Sequence, residues 1–180
     1  MRILAIDPGT IESGWVLYDT DAEAPVEAGI TRNDRLLVLM WDHLESSHLV
    51  CEMIASYGMP VGASVFETCC WIGRFEASWS LMPKGRMSGT EFPFTHRVYR
   101  KDVKLHLCGS MKAKDGNIRQ ALIDRFSAGQ GKRVAIGLKK TPGPLYGFKS
   151  HMWAALAVAV TWADKAHDYD NDPAFAGKEW

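Results

Sequence analysis

The chain has no apolar stretch long enough to cross a bilayer. Its longest, near Met152–Ala163, falls short of the roughly 20 residues that a spanning helix requires. The opening Met1-Arg2-Ile3-Leu4-Ala5-Ile6 breaks into Asp7-Pro8-Gly9 before the apolar centre of a signal peptide can form. Both absences lead to the expectation of a soluble, cytoplasmic protein that meets no membrane. Cysteine is scarce. Cys51, Cys69, Cys70 and Cys108 show no Cys-x-x-Cys spacing, which excludes a disulfide frame and a zinc site and leaves reduced, mostly buried thiols. Internal repeats and low-complexity tracts are missing as well. With 180 residues, 47% of them apolar and 23% charged, the composition excludes a disordered chain and predicts one domain with a real core.

Net charge is also missing, but only in the sum. Residues 1–80 carry 4 Lys and Arg against 12 Asp and Glu; residues 81–149 carry 15 against 4; residues 150–180 carry 2 against 5. A basic middle on an otherwise acidic chain suits either an anionic partner on one face or a solvated surface balanced by the acidic parts.

What is present reads as an α/β domain with a mixed sheet. Arg2–Ile6, Gly14–Tyr18 and Val26–Ile30 are short apolar runs separated by turn residues, which predicts an antiparallel meander of three strands. Asp34–Leu44 has a helical period, with apolar residues at 36, 37, 40, 41 and 44. His48–Met53 reads as a fourth strand and Phe92–Tyr99 as a fifth. Helices are predicted over Pro60–Trp79, Asp102–Cys108 (closed by Gly109), Asp115–Phe126 and Ser150–His167. The domain is expected over 1–167, with a mobile basic loop at 127–149 and a polar tail from Asp168 that frays. Phe66, Trp71 and Phe75 recur at helical spacing and are expected in the core or at a dimer interface.

Three residues stand out chemically. Asp7 ends the first strand, where ligands of α/β sheets bind, although an Asp-Pro-Gly turn alone would also explain it. Glu52 closes a strand that is otherwise mostly apolar. A carboxylate there needs a partner, either a basic side chain or a metal ion shared with Asp7. His151 opens the last helix, on the face that also carries Ala154, Ala155 and Val158.

Taken together, these segments resemble one family. Ile3-Leu4-Ala5-Ile6-Asp7-Pro8-Gly9-Thr10, followed by Ser13-Gly14-Trp15, is similar to the opening of RuvC-type Holliday junction resolvases, members of the RNase H-like superfamily. Leu49-Val50-Cys51-Glu52 resembles their second acidic strand. Val103-Lys104, Gly109 and Lys114 match their lysine-bearing segment, and Ala155-Leu156-Ala157-Val158-Ala159 matches their last helix. Tyr57-Gly58-Met59-Pro60-Val61-Gly62 and Trp71-Ile72-Gly73-Arg74-Phe75 resemble a phage-borne branch, which implies the cytoplasm of a bacterial host.

The resemblance implies an RNase H-like fold, with a mixed five-stranded sheet whose first three strands are antiparallel, flanked by helices. It implies a Mg²⁺-dependent endonuclease, with Mn²⁺ as substitute, that cuts branched DNA such as four-way junctions as a homodimer. Asp7, Glu52 and His151 would be the metal ligands, and Lys114 the catalytic phosphate contact, with Lys104 and Lys112 behind it. The DNA would be gripped by Arg97, Arg100, Lys101, Lys104, Lys112, Lys114, Arg119, Lys132, Arg133, Lys139, Lys140 and Lys149. Tyr57 and Met59, in the loop after Glu52, could wedge into the junction or simply pack within the loop.

One departure matters. The family pattern continues from the position of His151 to an acid three residues later, and here that residue is Ala154. Asp164 is about 15 Å further along a helix and rotated away. Asp115 and Glu12 could replace the acid only if loops fold inward. Three readings stay open: a site of Asp7, Glu52, His151 and water; an acid-to-alanine replacement that stops cleavage; or a junction-binding protein that does not cut. Outside that frame stand a nuclease for other branched DNA or RNA–DNA hybrids and an actin-like ATPase. The ATPase would need a second strand-Asp-x-Gly lobe, which the chain lacks.

Overall fold

The computed structural model describes residues 1–43, 48–55, 58, 60–82 and 94–171. Its centre is a five-stranded sheet of order β3-β2-β1-β4-β5, with strands β1 (Arg2–Asp7), β2 (Glu12–Asp19), β3 (Ala24–Arg32), β4 (His48–Met53) and β5 (Phe94–Tyr99). β1 to β3 form an antiparallel meander, and β4 and β5 run parallel to β1. This is the expected mixed sheet. β1 and β4 read as continuous apolar runs because both their faces are covered: Ile3, Leu4, Ala5 and Ile6, and Leu49, Val50 and Cys51, are fully buried.

Alternation along those strands divides the core in two. Leu4, Ile6, Leu49 and Cys51 face α1 (Asn33–Asp42) and α2 (Ala63–Ser80), where they meet Leu36, Met40, Ile72, Phe75 and Trp79. Ile3, Ala5 and Val50 face the other way, towards α3 (Arg100–Cys108), α4 (Asp115–Phe126) and α6 (His151–Asn171). In α6, Ala155, Ala157 and Ala159 are fully buried with Leu156, Val158 and Val160. Burying each of the larger three contributes about 1.5–3 kcal/mol. Helices thus cover both faces, and among the described residues none is long and apolar enough to cross a membrane.

Several boundaries differ from the sequence expectation. α1 starts at Asn33, and Leu44 lies outside the described residues. α2 begins at Ala63, so Pro60 precedes the helix. α3 starts two residues earlier than predicted, at Arg100, and closes as expected on Gly109, whose φ of 64° is easy for glycine and whose N–H reaches the Leu105 carbonyl at 2.9 Å. α6 continues past His167 to Asn171, so residues 168–171 are helical where a tail was expected. Phe75 is core, whereas Phe66 on the same helix is exposed.

The largest correction concerns 127–149, expected as a basic loop. It holds a helical turn, α5 (Lys132–Ala135), and a small hairpin, β6 (Gly137–Leu138) with β7 (Thr141–Pro142). Ala135 and Leu145 are fully buried in the α6-side core, and the Leu145 N–H donates to the Ala135 carbonyl at 2.8 Å. Two apolar anchors bind a glycine- and lysine-rich segment to the domain.

Candidate active site

Strand register builds the centre of the site. Ile6 lies beside Cys51 in the parallel β1–β4 pair, so Asp7 and Glu52 emerge together at the C-terminal edge. Both continue the face that carries Ala5 and Val50, and so both carboxylates turn towards α6. The turn after Asp7 is pinned by a small network. The Gly9 N–H donates to Ser13 Oγ at 3.2 Å, Ser13 Oγ donates to Asn33 Oδ1 at 2.6 Å, and Asn33 Nδ2 donates to the Gly9 carbonyl at 2.9 Å. Ser13 and Asn33 are buried, so each polar atom must be satisfied there.

His151 arrives from the far end of the chain. α6 opens where β2 carries Gly14, the residue paired with Asp7 in the antiparallel register. A Cβ on Gly14 would lie 2.4 Å from the His151 carbonyl oxygen and 2.7 Å from its Cβ. The bare strand lets the first turn of α6 settle on the sheet, and His151 Nδ1 comes within 2.8 Å of Asp7 Oδ2. Bonded to Asp7 through Nδ1, the ring turns Nε2 away from that carboxyl group.

Glu52 is the strongly perturbed carboxyl group of the cleft. Its side chain is only 12% exposed, Oε1 accepts from Arg100 Nη1 at 3.3 Å, and Oε2 is buried without a hydrogen-bond partner. Burial first, then the facing Asp7 charge, raises its pKa well above the ordinary carboxylate range, and Arg100 pulls it back. The second arm of Arg100, Nη2, binds Asp115 Oδ1. Together these groups line an open cleft of about 560 Å³, walled also by Gly116, Ile118, Arg119, Ser150, Trp153 and Ala154.

The donors suit a hard divalent cation: two carboxylates, that of Glu52 with an orphaned buried oxygen, and one imidazole. Among the described residues, however, no three acidic, histidine or cysteine side chains already converge as a metal cage. A guanidinium holds Glu52 and Asp115 instead.

Other expected residues distribute unevenly. Arg100, expected on the DNA, points at the protein's own carboxylates. Arg97 lies beside Cys51 on β5 and is clamped by Glu76 of α2 at 2.7 and 2.6 Å, on the sheet face away from the cleft. Lys114 precedes α4; its backbone N–H donates to Asn117 Oδ1 at 2.9 Å, and its exposed side chain is not part of the cleft wall. Lys101 is exposed, with its ammonium 5.7 Å from the Tyr99 ring centre, and Lys104 is half-buried on the same helix. Lys112, Lys132, Arg133, Lys139, Lys140 and Lys149 are all exposed. Tyr57 and Met59 lie outside the described residues.

Of the acids weighed as replacements at position 154, Asp115 does line the cleft. It stands on the first residue of α4, so no inward loop movement is needed. Glu12 does not line it, and Asp164 is gripped elsewhere by Arg125 at 2.6 Å and His106 at 2.6 Å. Two contributions escaped the sequence reading. Gly14 gave no signal beyond a glycine in a strand. Trp153, buried in the core, also supports Arg119, whose guanidinium sits 4.7 Å from the Trp153 ring centre. Among the described residues Arg119 meets no carboxylate, so its charge is left to the cleft.

No protein-family model matches the chain, and no curated protein sequence matches it. Solved structures do. The chain is similar to Thermus thermophilus RuvC, with a TM-score of 0.64 at 17% identity over 93% of this chain and 96% of that one. It is also similar to T. thermophilus RuvC in complex with Holliday junction substrate, with a TM-score of 0.59 at 16% identity over the same shares. The fold is that of RuvC, RNase H-like, along almost the whole chain.

Proposed function

We propose that this protein is a metal-dependent endonuclease that resolves branched DNA, four-way junctions above all, as a homodimer with one cleft per protomer. The observation that carries the reading is the placement of Asp7 and Glu52 side by side at the edge of two parallel strands, with His151 bonded to Asp7 above them. Support comes from a neighbour of the same fold whose structure contains a Holliday junction substrate. The setting that fits is the cytoplasm of a bacterial host, with a phage as the source and residues 1–167 as the catalytic domain.

Asp7 and Glu52 would hold Mg²⁺ or Mn²⁺, joined by His151 once its bond to Asp7 opens, and the ion would supply an activated water and neutralise charge at the phosphate. The protein's own groups do the rest. Until a metal binds, Asp7 holds the His151 ring over the carboxyl pair through its 2.8 Å contact with Nδ1. Arg119, held over the Trp153 ring, offers a fork of N–H donors to a backbone phosphate at the cleft wall. Lys101, Lys104, Lys112, Lys114, Lys139, Lys140 and Lys149 provide charge around it, sequence-independent and sensitive to salt.

A second reading, junction binding without cleavage, has its own observation: Ala154 lines the cleft where a further acid would serve. A cleavage gel separates the two. The chain and its Ala154→Asp variant are given an immobile four-way junction and a linear duplex, in Mg²⁺ and then Mn²⁺. Symmetric nicks by the unmodified chain on the junction alone support the resolvase. Cutting only by Ala154→Asp supports the binding protein. No cutting and no preference for the junction over the duplex ends both readings.

A further inference from the structure

We propose that Arg100 is the resting counter-cation of this cleft, competing with the divalent metal for Glu52 and staying on Asp115 when the metal takes its place. The inference rests on the metal-dependent reading above and concerns this chain's own residues.

Glu52 and Asp7 place two carboxyl groups side by side at the buried end of the cleft, where like charges would repel strongly. A positive charge there relieves that repulsion before any metal arrives. Arg100 supplies it. It stands at the first residue of α3, immediately after β5, one strand over from Glu52. Its Nη1 donates to Glu52 Oε1 at 3.3 Å, and its Nη2 donates to Asp115 Oδ1.

The two anchors are unequal. Glu52 is 12% exposed, whereas Asp115 is 84% exposed. The guanidinium therefore spans the cleft from its deep carboxylate to its rim. A long side chain anchored at the rim can release the deep carboxylate without being cast into solvent as an unpaired charge. Planar fork geometry is what lets one cation hold both acids; an ammonium is a single point of charge and would have to choose.

The test measures Mn²⁺ binding alone, by electron paramagnetic resonance of the free ion, without DNA or cleavage. Circular dichroism checks that each variant is folded. Arg100→Gln is expected to tighten Mn²⁺ by about fivefold or more, since the competitor is gone. Arg100→Lys keeps the charge and loses the fork, and is expected to tighten Mn²⁺ nearly as much. Asp115→Asn is expected to weaken Mn²⁺ in the unmodified background and to do nothing beside Arg100→Gln, because Asp115 acts through Arg100. Without metal, Arg100→Gln should melt below the unmodified protein, and saturating Mn²⁺ should close the gap.

An Arg100→Lys affinity equal to that of the unmodified protein shows a plain field effect and overturns the competition. An equal Asp115→Asn effect in both backgrounds overturns its role as the outer anchor. Both outcomes leave the metal-dependent reading standing. Absence of Mn²⁺ binding in every variant overturns the inference and that reading together.

Discussion

Gly14 and His151 share a space that one methyl group would fill. Their strand and helix meet so closely that a Gly14 Cβ would press on the His151 carbonyl at 2.4 Å. The contact is backbone against backbone, so neither side can rotate away. Gly14→Ala should therefore lift the start of α6 from the sheet, at about 1–3 kcal/mol of stability. It should also part His151 from Asp7. Urea unfolding reads the first effect, and the histidine Nδ1–H resonance in NMR reads the second. A Gly14→Ala protein with unmodified stability and an intact resonance would show that the approach is looser than described.

His151→Ala removes the imidazole without touching the two carboxylates. Mn²⁺-supported junction cleavage should fall by about 100-fold or more, while junction binding in the absence of metal stays within about threefold. Unchanged cleavage rates would take His151 out of the mechanism.

Junction affinity should fall steeply between 50 and 200 mM salt, as counterions return to the DNA. Replacing Lys139 or Lys140 by Ala should lower the slope of log affinity against log salt by about one each. Arg97→Ala should leave the slope alone, because that guanidinium is committed to Glu76 on the opposite face. A smaller slope for Arg97→Ala would place the DNA on the α2 side.

The segment read from composition as a loop should behave as structure. Leu145 is fully buried, so Leu145→Ala should cost about 2–5 kcal/mol in chemical denaturation. A loss under about 0.5 kcal/mol would mean that the segment is only laid against the core.

At the opposite end of β4 from Glu52, His48 Nδ1 meets His96 Nε2 at 2.9 Å, and both rings lie 4.9 Å from Trp162. Burial, and for His48 the neighbouring imidazole, lowers both pKa values, that of His48 to about 4. The folded state thus binds fewer protons than the unfolded chain, whose histidines titrate near 6.5. Stability from this pair should be complete above about pH 6.5 and be lost as pH falls towards 4. Denaturation midpoints across that window should decline, and the decline should shrink in a His48→Phe, His96→Phe protein. Equal slopes would assign the acid sensitivity to other groups.

The sheet was legible because its signals are local. Apolar runs bounded by Asp-Pro-Gly and similar turns set β1, β2 and β4 almost to the residue. The pairing of Asp7 with Glu52 was legible too, since both end apolar strands and the ends of parallel strands converge. Arg100 was not. Composition reports that a cation is present but not which anion it faces, and only the β4–β5 register turns Arg100 inward. Segment 127–149 failed for a related reason. Two buried side chains, Ala135 and Leu145, hold it, and two anchors ten residues apart leave no periodicity to detect. Lys114 matched by spacing and then fell outside the cleft wall, because its backbone caps α4 while its side chain stays in solvent.

Asp7 and His151 are 144 residues apart, and the helix that brings His151 is the last of the described elements. The cleft is therefore a property of a chain made beyond residue 151. During synthesis, β1 and β4 leave the ribosome long before α6, and until it arrives their carboxylates have no imidazole above them. A truncated product ending anywhere before residue 151 would carry acids and basic surface but no complete donor set. Under the nuclease reading proposed above, this makes synthesis of α6 a safety catch: the set of donors is assembled only once that helix has settled on the sheet.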